Sequence, residues 1–204
     1  YMAGYTKTDG NKDILIARIN PSNGTLDNAS YIGNSNPDVS NDIGETSDGD
    51  LAITGNTKTT GSGGNLTYVL EFTLPSSGLN IKREFATGTG SGNVGSSLLQ
   101  DSENDFWVVG EDQNNSGSGL IYQLDQTFTS NDTGDIVYRA LVNGGSNGQT
   151  LKGIDQAGST VIAGGNGKFS STSKQWAFAI KLDETTTASN SSVGNAVKAF
   201  KQYT

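Results

Sequence analysis

Phe106-Trp107-Val108-Val109-Gly110 is the stretch on which the fold turns. Neighbouring side chains of a strand point to opposite faces, so Phe106 and Val108 go one way and Trp107 and Val109 the other. Both faces are then apolar. A strand with water on one side alternates apolar with polar residues instead, so this one belongs to a sheet covered on both sides. Three other segments share its form: Tyr1-Met2-Ala3-Gly4, Leu51-Ala52-Ile53-Thr54-Gly55 and Thr160-Val161-Ile162-Ala163-Gly164. Their closing glycines step by 51, 55 and 54 residues.

Three further series keep the same spacing. Ile16-Ala17-Arg18-Ile19-Asn20, Val69-Leu70-Glu71-Phe72-Thr73, Ile121-Tyr122-Gln123-Leu124-Asp125 and Ala179-Ile180-Lys181-Leu182-Asp183 form the second. Tyr31-Ile32, Arg83-Glu84-Phe85, Val137-Tyr138-Arg139 and Val197-Lys198-Ala199-Phe200 form the third. The fourth occurs three times, as Ile43-Gly44-Glu45, Leu98-Leu99-Gln100 and Lys152-Gly153-Ile154. Between the fourth series and the next copy of the first stand Ser47-Asp48-Gly49-Asp50, Ser102-Glu103-Asn104-Asp105 and Gln156-Ala157-Gly158-Ser159. Gly49, Asn104 and Gly158 share one place, and they are residues that tolerate a left-handed backbone. A tight hairpin needs such a residue at a fixed position. Each repeat is thus a four-stranded antiparallel unit of about 54 residues, close to the length of a propeller blade. In Trp176-Ala177-Phe178-Ala179-Ile180 one face is large and the other small, which suits sheets packed closely on one another. No stretch sustains apolar residues at three-to-four spacing, so helix is not expected.

Composition narrows the chemistry. Across 204 residues there is no Cys and no His, which removes thiolates, the usual general base, the commonest metal ligand and every Ser-His or Cys-His pair. The net charge is −8 and both halves are acidic, with no basic stripe to meet a phosphate backbone. Nucleic acid is therefore not an expected partner. Nor is membrane insertion expected, because no segment approaches the roughly 18 apolar residues of a membrane span.

The run Tyr1-Met2-Ala3-Gly4-Tyr5-Thr6, then Asp13-Ile14-Leu15-Ile16-Ala17-Arg18-Ile19-Asn20-Pro21, Ser30-Tyr31-Ile32-Gly33-Asn34-Ser35 and Ser47-Asp48-Gly49-Asp50-Leu51 resembles the bacterial SBBP repeat. The likeness is close over residues 1–57 and looser beyond, where the Asn-Pro is lost and Ala86-Thr87-Gly88 replaces Gly-Asn-Ser. It implies a β-propeller of exported and surface proteins, and it brings no catalytic residues with it.

The expected architecture is all-β: a β-propeller-like array of about four four-stranded antiparallel blades, cut from a larger ring of about seven. Residues 1–204 form one propeller region, with an incomplete blade at 1–33 and blades at 34–90, 91–147 and 148–204. The fourth-series strand would line the channel. Blade 1–33 lacks that strand, which is expected upstream of Tyr1.

Candidate sites are few. Asp9-Gly10-Asn11-Lys12-Asp13 sets Asp9, Asn11 and Asp13 at alternate positions, as calcium loops set their ligands, and calcium is the one cofactor suggested. Ile14 stands where a calcium hand has Gly, so the competing reading is a polar turn. Gly90-Ser91-Gly92-Asn93-Val94-Gly95 spells a dinucleotide motif but lacks the strand before and helix after that would give it meaning. Asp48 with Asp50, and Asp101, Glu103 and Asp105, are the densest carboxylates, as a glycosidase requires; all lie at hairpin turns, where acids are ordinary. Tyr5, Tyr31, Tyr122, Tyr138 and Trp176 are candidates for stacking on sugar.

These observations lead to a non-catalytic, extracellular or cell-surface module for adhesion, assembly or ligand display. Its expected partners are protein or carbohydrate ligands and the remainder of its own propeller. A virion component, such as a phage tail or fibre protein, is the alternative, and a glycosidase or lyase ranks behind both.

Overall fold

The computed structural model describes residues 1–8, 10–58, 64–88, 92–113, 117–128, 135–142, 147–168, 176–183 and 199–203. These form fifteen strands in four separate antiparallel sheets, with no α-helix among them. The first sheet holds β1 (Met2–Thr8), β2 (Asn11–Ile19) and β3 (Leu26–Ile32). The second holds β4 (Val39–Glu45), β5 (Leu51–Lys58), β6 (Asn65–Thr73) and β7 (Asn80–Thr87). The third holds β8 (Asn93–Gln100), β9 (Phe106–Asp112), β10 (Ser118–Leu124) and β11 (Ile136–Val142). The fourth holds β12 (Asn147–Ala157), β13 (Thr160–Lys168), β14 (Trp176–Asp183) and β15 (Ala199–Tyr203). Every sheet is a meander in which chain neighbours pair.

The repeat is written in the irregularities as well as in the strands. A β-bulge interrupts the first pairing of each four-stranded sheet, between Ser40 and Asp42, Gly95 and Ser97, and Leu151 and Gly153. A second bulge falls between the second and third series, at Arg18/Ile19, Glu71/Phe72 and Gln123/Leu124. Gly4, Gly55, Gly110 and Gly165 each lie opposite a large apolar residue: Leu15, Tyr68, Leu120 and Phe178. The last copy of the repeat is therefore shifted. Its closing glycine is Gly165, not Gly164, and Ile154, not Lys152, stands where Ile43 and Leu98 stand. The cause is the hairpin. Five residues separate paired Glu45 and Leu51, and likewise Gln100 and Phe106, whereas Ala157 and Thr160 pair directly across Gly158-Ser159. Gly49, Asn104 and Gly158 do take positive φ, at 79°, 71° and 62°.

The sheets stack in chain order through three apolar layers. Ile14 and Ile16 meet Leu51, Ile53, Leu70 and Phe72 between the first and second. Ala52, Val69 and Phe85 meet Phe106, Val108 and Tyr122 between the second and third. Trp107, Val109 and Ile121 meet Val161, Ala163 and Phe178 between the third and fourth. Phe106 and Trp107 thus sit in different layers, as the two-sided pattern requires. Burying such large side chains stabilises by roughly 1.5–3 kcal/mol each, which is how a chain only 32% hydrophobic holds together. Polar groups stitch the same layers. Asn41 Nδ2 donates to the Gly95 carbonyl at 2.7 Å, and Asp42 Oδ2 accepts from Ser97 Oγ at 2.6 Å and Leu98 N at 3.0 Å.

Candidate functional site

The connection between β3 and β4, residues 33–38, is held by side chains from β2 and β5 and by one of its own, Asp38. Asn11 Nδ2 donates to the carbonyls of Asn34 and Asn36, at 2.7 Å each. Asp38 N donates to the Lys12 carbonyl at 2.7 Å, and Asn34 N to Asp38 Oδ2 at 3.0 Å. Thr57 Oγ1 donates to the other Asp38 oxygen. Gly33 leaves room here for the Asp13 carboxylate, which a Cβ would overlap.

This loop closes one end of a cleft between the first two sheets. Ile14, Ile32, Leu70 and Ile81 give it apolar walls; Asn34, Asp38, Thr57 and Glu84 give it a polar rim. Its volume is about 160 Å³, below the roughly 300 Å³ at which small-molecule pockets begin. Tyr68 closes the floor, with its hydroxyl donating to the Val39 carbonyl at 3.2 Å. Burial pushes the Tyr68 phenol well above its ordinary value, so it stays a neutral donor. Both Asp38 oxygens already accept hydrogen bonds. The cleft is therefore a small amphipathic recess, and among the described residues that line it no nucleophile, base and oxyanion donor come together.

Of the proposed calcium ligands, Asp9 lies outside the described residues. Asn11 and Asp13 share one face of β2, but Asn11 turns its amide to the loop carbonyls and Asp13 packs against Gly33. No group of three or more acidic side chains close enough to hold a metal ion occurs among the described residues. The dense carboxylates organise turns. Asp50 pairs with Lys82. Asp101 Oδ1 accepts from the backbone of Glu103 and Asp105, both at 2.9 Å. Asp105 accepts from Gln123 Nε2 at 3.0 Å and Gln126 N at 3.1 Å, and burial, then the neighbouring Asp101 charge, raises its pKa. In the G-x-G-x-x-G stretch, Asn93 to Gly95 already belong to β8, and no helix follows.

The aromatic candidates divide. Tyr122 and Tyr138 are buried in the sheet layers, unavailable to a sugar, and the Trp176 side chain lies outside the described residues. Tyr31 is 64% exposed. Tyr5 is half exposed, with the Lys12 ammonium 4.3 Å from its ring centre. They face opposite sides of the first sheet and make no common platform. Sequence reasoning missed Asp38, Thr57 and Tyr68, because it is the pairing of β4, β5 and β6 that brings them to one place, and the stacking of the first sheet that makes that place a cleft.

No protein-family model and no curated protein matches this chain. Among the described residues no helix is long and apolar enough to cross a membrane.

Proposed function

We propose that the chain is a non-catalytic β-propeller module of the SBBP type, working outside the cell or at its surface in adhesion, assembly or ligand display. One observation carries the reading. β4, β8 and β12 pack side by side in succession, each at the same edge of its sheet, while the sheets behind them lie face on face. Propeller blades present their innermost strands to a central channel in this manner. Loops at the rims of such a rigid scaffold suit ligand display.

The outer face of the first sheet supports a partner of the same kind. Met2, Leu15 and Ala17 hold the positions at which Ile53, Tyr68 and Leu70 bury against a preceding sheet. Met2 and Leu26, both 61% exposed, and Tyr31 extend that face. An apolar surface of this kind marks an interaction site, and the remainder of a propeller fits it. Carbohydrate or protein ligands are proposed for the cleft and rims.

Arrays of glycans and surface proteins probed with the full chain should give saturable binding with the ligand unchanged. Turnover of a polysaccharide in proportion to chain concentration would replace this reading with an enzyme. A crystal structure of a longer chain in which β4, β8 and β12 do not face one shared axis would remove the propeller from it.

A further inference from the structure

We infer that the open edge of β1 is an acceptor for one more antiparallel strand, of the chain's own inner-strand form. The inference needs only the equivalence of four glycines and stands whether or not the sheets close a ring.

Gly55, Gly110 and Gly165 are glycine for a visible reason. A Cβ on Gly55 would overlap the Val39 carbonyl oxygen, one on Gly110 that of Val94, and one on Gly165 that of Thr150. In each case the overlapping atom belongs to the inner strand, beside its bulge. Gly4 holds the same place in β1, opposite Leu15 as the others are opposite Tyr68, Leu120 and Phe178. Yet nothing among the described residues lies within 4 Å of a Cβ on Gly4. β1 pairs with β2 alone among the described strands, so its other edge carries backbone donors and acceptors that no described strand satisfies. A strand interior normally disfavours glycine, which weakens it unless another backbone approaches closely. Gly4 is the imprint of that approach.

The occupant is defined by what the three inner strands share. Ser40, Gly95 and Leu151 pair with the glycine; Asn41, Ser96 and Lys152 form a polar bulge; Asp42, Ser97 and Gly153 follow; Ile43, Leu98 and Ile154 end the pattern with an apolar residue. A strand of this form on β1 would place its apolar residue opposite Met2, which is exposed. It would also lie beside β4, which β1 already touches, and so extend the row that β4, β8 and β12 form. Main-chain hydrogen bonds supply the affinity in such strand addition, and alternate side chains the selectivity.

The test uses the full chain and a synthetic peptide with the sequence of residues 92–101. Hydrogen exchange at Met2–Thr8 should slow as the peptide is added, and a scrambled peptide should leave it unchanged. Gly4→Val leaves the chain folded, because open space surrounds Gly4, and should weaken peptide binding by about tenfold or more. Fusing residues 92–106 ahead of Tyr1 should give the same protection without free peptide, since this length keeps Gly95 opposite Gly4 and the tether raises the effective concentration. No protection in either format, equal protection by the scrambled peptide, or equal binding to Gly4→Val overturns the inference. A chain that dimerises through β1, with the dimer lost in Gly4→Val, would make the occupant a second copy and overturn it equally.

Discussion

The indole Nε1 of Trp107 donates to Asp101 Oδ2 at 2.7 Å, so the hairpin before β9 is tied to the ring that fills the layer between the third and fourth sheets. Asp101 spends its other oxygen on the backbone of its own turn. Trp107→Phe keeps most of the packing but leaves a buried carboxylate oxygen without its donor. It should cost about 1–3 kcal/mol, and Trp107→Ala about 3–5 kcal/mol, by chemical denaturation.

Glu71 is fully buried, and its Oε2 lies 2.6 Å from Arg83 Nε; Arg83 in turn covers the Phe128 ring at 5.5 Å. Removing one partner strands a charge between the second and third sheets. Arg83→Met should destabilise by about 3 kcal/mol, while Glu71→Met with Arg83→Met should recover most of that loss. A double variant no more stable than Arg83→Met would show that packing, not the unpaired carboxylate, sets the cost.

The glycines of the first series should not behave alike. Gly110→Ala forces a methyl into the Val94 carbonyl and should cost about 1–3 kcal/mol or more. Gly4→Ala meets open space and should be neutral or stabilise by up to about 1 kcal/mol. Equal losses at both sites would refute the equivalence of their surroundings.

Asn11→Ala should lower the melting temperature by the same amount with and without millimolar calcium, because Asn11 holds two loop carbonyls through its amide. A loss that appears only in calcium would instead make Asp9, Asn11 and Asp13 a ligand set.

Asp105 titrates above the ordinary Asp value of 3.8 in the folded chain. The folded state then binds its proton more readily than the unfolded state, so this group adds stability as pH falls through the window just above 3.8. Stability measured against pH for the native chain and Asp105→Asn should converge toward, or cross in favour of, the native chain as pH drops there. A difference independent of pH would exclude the shift.

Much of this fold is legible in the order of residues. Two apolar faces on Phe106 to Val109, and left-handed residues at Gly49, Asn104 and Gly158, announce stacked hairpins before any coordinate is known. Side-chain alternation and turn chemistry are local, and local rules survive in one dimension. The last repeat shows where they stop. Counting from Gly158 makes Gly164 the counterpart of Gly110, yet a shorter hairpin moves that role to Gly165, because pairing between strands, not distance along the chain, sets register.

The amino-acid order by itself determined that the protein is built of repeated antiparallel strands, and that neither Cys nor His takes part in its chemistry. Only the tertiary structure decided which face of each strand meets which neighbour, brought Asp38, Thr57 and Tyr68 to one cleft, and left Gly4 beside an open edge. The reason is range: a strand's pleat depends on its adjacent residues, whereas the cleft depends on Ile14 and Ile32 meeting Leu70 and Ile81, some fifty residues further along the chain.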